Sequence, residues 1–294
     1  MYKISTNTAV NAIIYANWRR GFAEFWRGNL QMKIIVCMKQ VPATSKVDID
    51  PETGAMKRLS DNTRTNPYDL FALEAALALR EKVGGTVTAL TMGPPHAEVM
   101  MRDAYTMGAD DAVILSDRKF AGADVLATSY CLAQGIQVLG GADLIVCGRQ
   151  TTDGDTAQVG PAIAEHLGIP HAAWVAEIVD ANDSCIRVRQ DLGSVTQVSE
   201  LPWPCLITVD KDMCVPRLPS YKLKRETAGR PVRVMGFADM PDQDLSRYGL
   251  VGSPTSVKRM FAPPEIERQV YIDGESAEAK ADNLFDVLTG RKII

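Results

Sequence analysis

The residues of this chain best suited to bind a charged ligand lie in one polar stretch, Gly148 to Pro161, with the sequence GRQTTDGDTAQVGP. An apolar run precedes it and a helical apolar pattern follows it, which predicts a strand, a loop and a helix start. We expect Asp155 to cap that helix, so that neighbouring backbone N–H groups face an anion such as a phosphate. A capped surface turn is the alternative, because Asp153 and Asp155 are acidic and Arg149 is the only nearby counter-charge.

Several motifs of self-sufficient enzymes are missing from the sequence. It has no GxxxxGK[ST] motif for a triphosphate, no GxGxxG after the first predicted strand, no GxSxG nucleophile motif and no His–Glu metal spacing. The six cysteines include no CxxC pair, and the three histidines have no ligand-like spacing. We therefore expect no metal site and no catalytic acid or base, with the chemistry carried by a bound cofactor.

Charge and hydropathy argue against two classes of partner, nucleic acids and membranes. The net charge is −4 and the pI is near 5.5, which argues against a nucleic-acid partner. No apolar run approaches the roughly 20 residues that span a bilayer, so no membrane span is expected. Cysteines placed inside predicted strands and helices are typical of a reducing compartment, and we expect a cytoplasmic protein.

The elements around the polar stretch alternate between strand and helix. An opening strand from Lys33 to Met38 is followed by a helix whose N-cap is Asn66, with Pro67 at the first position and Asp69 in the first turn. Further strand–helix pairs follow, with strands at 86–92, 112–115 and 144–147. Four such units require a parallel sheet with right-handed crossovers. The fold class is therefore α/β, a Rossmann-like layered parallel sheet, with an antiparallel add-on beyond Pro170 and an extended C-terminal arm.

Three regions are predicted along the chain. Residues 1–31 form a basic N-terminal extension; Met32 as the true start, a docking helix and a targeting segment all remain open. Residues 32–210 form the nucleotide-binding α/β domain. Residues 211–294 hold an exposed basic stretch, Arg217 to Arg225, and an arm that wraps a partner and ends in a helix near 277–288.

The chain resembles the beta subunit of electron-transfer flavoproteins from Met32 to near its end. The resemblance rests on IIVCMKQVP, DPETGAMKR, NPYDLFALEAAL, TMGPPHAE, GRQTTDGDTAQVGP and GSPTSVKRMF. It implies a subunit that holds an adenine-containing cofactor, with redox activity only inside a complex with an alpha subunit. The positions that match the family's cofactor site are Cys37, Asn66, Pro67, Tyr68, Asp69, Met92, Gly148, Arg149, Gln150, Thr151, Thr152, Asp153, Gly154, Asp155, Thr156, Ala157, Gln158 and Val159.

The cofactor itself divides the family. Electron-bifurcating members hold an FAD that takes hydride from NADH, whereas housekeeping members hold AMP as a structural ligand. Gly154, Thr156 and Ala157 depart from the housekeeping loop, which favours FAD over AMP. We expect the backbone to approach the pyrophosphate at Gly154, and Arg149 to be the charged group near the phosphates. A nucleotide-sensing module is a third reading, supported by architecture alone.

The resemblance also assigns partners. It implies a flavin-dependent dehydrogenase and a low-potential ferredoxin or flavodoxin acceptor beside the alpha subunit. The family's recognition loop corresponds to the basic stretch, with Leu218 as an apolar anchor ringed by charge. A solvated loop without function is the alternative. The predicted partner-binding residues are Leu218, Pro219, Tyr221, Lys222 and Lys224.

Overall fold

A computed structural model describes residues 32–43, 63–256 and 271–294. The extension at 1–31, the DPETGAMKR loop and part of the GSPTSVKRMF stretch lie outside the described residues. The chain divides into two compact units, the first containing residues 32–43 and 63–256 and the second containing residues 271–294. The two units are described separately.

The first unit is built on a nine-stranded sheet, accompanied by a two-stranded one. The small sheet pairs β2 (Gln40–Pro42) with β3 (Thr63–Thr65). The large sheet contains β1 (Lys33–Cys37), β4 (Thr86–Met92), β5 (Asp111–Leu115), β6 (Leu144–Gly148), β7 (His171–Ala181), β8 (Cys185–Asp191), β9 (Thr196–Pro202), β10 (Cys205–Val209) and β11 (Arg233–Met235). Its strand order is β11-β5-β4-β1-β6-β10-β7-β8-β9.

Helices cover both faces of this sheet. They are α1 (Pro67–Val83), α2 (Glu98–Met107), α3 (Val125–Val138), α4 (Val159–Leu167) and the short α5 (Tyr221–Glu226). Ile34 and Val36 of β1 pack into the core that also contains residues of α1 and α2, whereas Ile35 and Cys37 pack into the core of α3 and α4. A central strand buried on both faces explains why residues 34–37 of β1 are all apolar rather than alternating.

The predicted α/β fold is confirmed, with one refinement in the sheet. Both β10 and β7 continue the parallel sheet beyond β6, and in this sheet only the β7–β8 and β8–β9 pairings are antiparallel. The antiparallel add-on is therefore shorter than the sequence pattern predicted. Strand pattern alone does not report direction, because alternation depends on burial and not on the sense of the neighbouring strand.

The predicted boundary after Asp210 is not a boundary in the structure. Residues 211–256 belong to the first unit, and β11 extends the sheet beside β5. Tyr248 is fully buried and its ring lies 5.6 Å from that of Phe120. The Pro- and Gly-rich composition concealed this packing, since a few well-spaced aromatic residues suffice to hold an irregular segment on a sheet.

The second unit contains one helix, α6 (Ala277–Gly290), close to the helix predicted at 277–288. Ser276 caps it by accepting a hydrogen bond from Ala279 N at 3.1 Å. None of the residues of α6 is buried. In the parts of the chain that the structure describes, no helix has both the length and the apolar character needed to cross a membrane.

Candidate functional site

The strand order reverses between β1 and β6, and the predicted site lies there. The chain runs outward from β1 through β4 to β5 and then returns to place β6 on the other side of β1. Cys37 and Cys147 are register partners near the carboxyl ends of these two strands. Ligands of open α/β sheets bind at this kind of switch point. The segment 148–158, called the site loop below, follows β6 directly.

Gly148 brings the base of the site loop against the start of α1. A Cβ atom added at this glycine would lie 2.8 Å from the carbonyl carbon of Tyr68 and would collide with Asp69 Oδ1. Real Cβ atoms do not come so close to backbone, so this position requires glycine. The two segments that the family resemblance assigned to one cofactor site are therefore in direct contact.

Asn66 connects α1 to the site loop. Its side chain is fully buried, and Nδ2 donates to Gln150 O and to Asp69 Oδ1, both at 2.9 Å. Thr152 N donates to Asn66 Oδ1 at 3.3 Å. The residue occupies the predicted N-cap position but its side chain makes no capping hydrogen bond to its own helix. Instead it fixes the backbone of the site loop.

Asp69 is a buried carboxyl group beneath the same loop. It is 4% exposed, and Oδ2 accepts a hydrogen bond from Lys39 N at 2.7 Å. Burial raises the pKa of Asp69 to about 7, although hydrogen bonds from Asn66 and Lys39 act in the opposite direction. Asp69 thus joins the chain after β1 to the first turn of α1, and its side chain is covered.

Lys39 provides a counter-charge that the sequence analysis missed. Its Nζ donates to both carboxylate oxygens of Asp153, at 2.7 and 2.9 Å. Partial burial would raise the pKa of Asp153, but the hydrogen bonds and charge of Lys39 outweigh it and leave that pKa below its usual value. The statement that Arg149 is the only nearby counter-charge was wrong. A lysine just after the first strand of the sheet was the available signal, because that strand end lies at the switch point.

The Arg149 side chain contacts neighbouring segments of the first unit, and its place near the phosphates stays a prediction. Its Nη1 pairs with Asp210 Oδ2 at 2.8 Å, and its guanidinium lies 4.0 Å from the ring centre of Trp174. Its Nε is buried and has no hydrogen-bond partner among the described residues. Trp174 has a φ of 59°, which L residues rarely adopt. In this conformation Arg149 holds the end of β6 against its neighbours.

Asp155 does not cap the helix after the loop, contrary to expectation. Its φ is 52°, and its Oδ1 accepts a hydrogen bond from Gln150 Nε2. Helix α4 begins at Val159, and Gln158 occupies its N-cap position without a side-chain hydrogen bond. Asp155 and Ala157 both have a left-handed backbone, and the residues between Asp155 and Val159 separate this acid from the helix start. Hydrophobic periodicity could not predict that separation.

Helix α4 starts with the partly exposed Val159 and the buried Gly160. Pro161 has no N–H group, and no acceptor is recorded for the amides of Val159 and Gly160 among the described residues. Gly160 lets the helix approach β10, since a Cβ there would lie 2.5 Å from Thr208 Cγ2. Two free amides at the positive end of a helix are an anion-binding arrangement, as the sequence predicted, although Asp155 is not its cap.

Gly154 lies at an exposed position of the site loop, and the approach of its backbone to a pyrophosphate stays a prediction. It does not have a left-handed φ, and a Cβ added there would meet only Thr151 Oγ1 at 3.5 Å, an ordinary contact. The glycine that close packing requires is Gly148 at the base of the loop. The sequence could not distinguish the two, because both stand beside polar turn residues.

The predicted cofactor residues divide by exposure. Cys37, Asn66 and Asp69 are buried, so their side chains support the site from beneath. The remainder are at least partly accessible, and the exposed ones are Thr152, Asp153, Gly154, Asp155, Thr156 and Gln158. The hydrogen bond with Cys37, together with burial, raises the pKa of the Cys147 thiol well above its usual value. The described residues contain no cluster suited to a metal ion.

The predicted partner-binding residues lie in a separate part of the first unit. We call residues 215–221 the recognition segment. Val215, Leu218 and Tyr221 are 90%, 86% and 75% exposed, which leaves three apolar side chains in solvent. The predicted loop is partly helical, because Ser220 caps α5 through Leu223 N at 3.3 Å. Pro219, Lys222 and Lys224 are exposed as well.

Comparison with known proteins identifies the family. Residues 53–239 match the Electron transfer flavoprotein domain. Over 265 residues the chain is 46% identical to Protein FixA of Bradyrhizobium diazoefficiens, covering 87% of this chain and 91% of that protein. The chain belongs to the electron transfer flavoprotein family. The resemblance recognised in its motifs is confirmed.

Further relatives indicate the branch of the electron transfer flavoprotein family. The Acryloyl-CoA reductase electron transfer subunit gamma of Anaerotignum propionicum is 42% identical over 270 residues, which cover 90% of this chain and 100% of that protein. The Electron transfer flavoprotein subunit beta of Megasphaera elsdenii is 40% identical over 272 residues, with the same two coverages. The chain is therefore a beta-type subunit of this family.

Proposed function

We propose that this chain is the beta subunit of a heterodimeric electron transfer flavoprotein and that it binds FAD at the β1–β6 switch point. The observation that carries the proposal is the site loop, which is fixed from below by Asn66, Asp69 and Lys39. Above these contacts it presents threonines and the free amides of α4. Buried supports and an exposed polar rim are what a nucleotide site requires.

The residues present fit the phosphate-bearing part of such a cofactor. The amides of Val159 and Gly160 lie at a helix start, and Thr151, Thr152 and Thr156 add hydroxyl donors beside them. Lys39 neutralises the charge of Asp153, whereas Asp155 accepts a hydrogen bond from the neutral amide of Gln150 and keeps its charge. The electrostatic objection to a phosphate at this loop is therefore weaker than the sequence implied.

Bound FAD would supply the redox chemistry, accepting hydride from NADH and releasing electrons to separate acceptors. The side chains of this chain bind and orient it. Asn66 holds the loop backbone through its hydrogen bonds, and the buried side chains of Cys37 and Cys147 lie beneath it. No side chain is assigned as a proton donor or acceptor in the reaction.

The partners belong to the same proposal. The alpha subunit completes the heterodimer, and the recognition segment docks a flavin-dependent dehydrogenase of the acyl-CoA type. A ferredoxin or flavodoxin receives the low-potential electrons. The relative from Anaerotignum propionicum, an Acryloyl-CoA reductase electron transfer subunit, supports a partner of this class.

The test is to identify the nucleotides released from the purified heterodimer. The protein is denatured with acid, and the supernatant is separated by chromatography and identified by mass. We expect two FAD molecules per heterodimer and reduction of flavin by NADH. One FAD with one AMP, and no reduction by NADH, would leave a subunit that holds AMP as a structural ligand.

A further inference from the structure

Arg217 lies next to the exposed apolar residues of the recognition segment, but its side chain points the other way. Leu218 extends into solvent, whereas the Arg217 guanidinium is turned back onto α1. The sequence analysis counted Arg217 among a run of surface cations. Its contacts differ from those of Lys222, whose side chain is 81% exposed and whose one ion pair among the described residues is with Glu226, at 3.9 Å.

Arg217 donates several hydrogen bonds to two glutamates of α1. Nε and Nη2 donate to Glu74 Oε2 and Oε1 at 2.8 and 2.9 Å, and Nη1 donates to Glu81 Oε1 at 2.7 Å. Arg217 N also donates to Glu74 Oε2 at 2.9 Å. Glu74 is buried at 8% exposure. A guanidinium that donates to both oxygens of a buried carboxylate has its orientation fixed far better than one in an exposed ion pair.

A second anchor holds the other side of Leu218. Ser220 N donates to Thr106 O of α2 at 2.8 Å, and Ser220 then starts α5. A half-open cavity of about 260 Å³ lies beside α5, lined by residues that include Arg217, Leu223 and Thr227. The polar contacts of Arg217 and Ser220 therefore hold the segment on both sides of Leu218.

We propose that Arg217 is a positioning residue for docking: its grip on Glu74 and Glu81 holds Leu218 in the conformation that the dehydrogenase binds. The inference rests on the proposed function, in which this segment docks that partner. Holding the segment before contact removes part of the ordering cost of association. Arg217 acts from the inner side and does not itself form the docking surface.

The sharpest variant is Glu74→Gln, because Glu74 is buried and cannot touch a partner directly. Glutamine accepts at one atom only, so Arg217 loses part of its grip. Glu200→Gln is the matched control, since it removes one carboxylate from an exposed pair with Arg187 on the distant β8–β9 strands. Both variants are made in the full heterodimer with the alpha subunit.

Two readouts are compared with each variant. The first is amide hydrogen exchange of residues 213–221 in the free heterodimer. The second is the apparent KM for the heterodimer in electron transfer with a purified acyl-CoA dehydrogenase from the same organism and its acyl-CoA substrate. We expect Glu74→Gln to speed exchange and to raise KM by about two- to tenfold, the range for re-ordering one side chain on binding. The kcat and the released nucleotide stay unchanged, and Glu200→Gln changes neither readout.

A double-mutant cycle with Leu218→Ala completes the test. If Arg217 works by presenting Leu218, the effect of Leu218→Ala on KM is smaller in the Glu74→Gln background. Additive effects, or faster exchange with an unchanged KM, would overturn the positioning role. If Leu218→Ala alone leaves KM unchanged, the docking function fails, while the exchange data still decide whether Arg217 orders the segment.

Discussion

The site loop and the recognition segment are both held by α1, but by contacts of different kinds. At the start of the helix, Asn66 and Asp69 are 0% and 4% exposed and hold the loop through buried polar groups. Further along the helix, Glu74 and Glu81 hold Arg217, whose side chain is 32% exposed, while Leu218 beside it extends into solvent. A site for a fixed ligand needs one geometry, whereas a docking surface must keep apolar area free for its partner.

The two regions also differ in the free energy that a substitution is expected to cost. A buried hydrogen-bonding group that loses its partner bears the full cost of desolvation, about 1–3 kcal/mol. An exposed charge or apolar side chain loses little when it is altered, typically under about 0.5 kcal/mol. Changes near Asn66 should therefore affect stability and nucleotide together, and changes at exposed recognition residues should affect partner binding alone.

The largest effect is expected for Gly148→Ala, because its methyl group would overlap Asp69 and the backbone of Tyr68. We expect a loss of about 2–3 kcal/mol in the free energy of unfolding and loss of the bound nucleotide. Gly154→Ala is the control, since its methyl group meets only Thr151 Oγ1. Denaturant unfolding and nucleotide analysis measure both variants. Equal losses of stability in Gly148→Ala and Gly154→Ala would show that packing around Gly148 is no closer than packing around Gly154.

Asn66→Ala is expected to cost roughly 2 kcal/mol, since it leaves Gln150 O and Asp69 Oδ1 without a donor. The site loop loses its fixed backbone, so nucleotide dissociation should be faster. Exchange of the loop amides and the rate of nucleotide release are the measurements. Gln158→Ala serves as the comparison, because that N-cap side chain makes no capping hydrogen bond. Unchanged loop exchange in Asn66→Ala would contradict the supporting role.

The buried carboxyl of Asp69 predicts a pH dependence of stability. Its folded pKa of about 7 lies above the usual 3.8, so between these values the folded state binds more protons than the unfolded state. The stability that it contributes is present below about pH 4 and is lost as pH rises to about 7. Asp69→Asn should flatten this part of the stability profile in denaturant titrations.

Asp153 provides the opposite sign within the same loop. Its pKa is lowered, so its contribution is present above its usual pKa and is lost as pH falls through the folded one. Asp153→Asn should therefore change the profile only at acidic pH. A profile that keeps its slope between about pH 4 and 7 in Asp69→Asn would refute the assignment of that slope to Asp69.

The smallest effect on stability is expected for Leu218→Ala combined with charge reversal at Lys222 and Lys224. All three side chains are exposed, so unfolding should shift by no more than about 0.5 kcal/mol and nucleotide content should not change. Electron transfer with the dehydrogenase should slow and become less dependent on salt, because rim charges act mainly on association. If the rate of electron transfer is unchanged at every ionic strength, the recognition segment is a solvated surface without a docking function.

The sequence by itself determined the order of the elements and the place of the site. Apolar runs at 33–37, 86–92 and 144–147, each followed by a helical pattern, require parallel strands, and Asn66-Pro67 marks the start of α1. The spacing of the cysteines contains no CxxC pair, and the family motifs predicted a beta-type subunit. These features are local or depend on neighbouring residues along the chain, which is why pattern reasoning reaches them.

Only the tertiary structure decided which residues support the site and how. The partnership of Lys39 with Asp153 joins residues 114 positions apart, and the grip of Arg217 on Glu74 joins residues 143 apart. Sequence spacing carries no record of such contacts, so it missed Lys39 as a counter-charge and assigned Asp155 to the helix cap. The burial of Asn66 and Asp69 likewise depends on their folded surroundings, which place both side chains beneath the site loop.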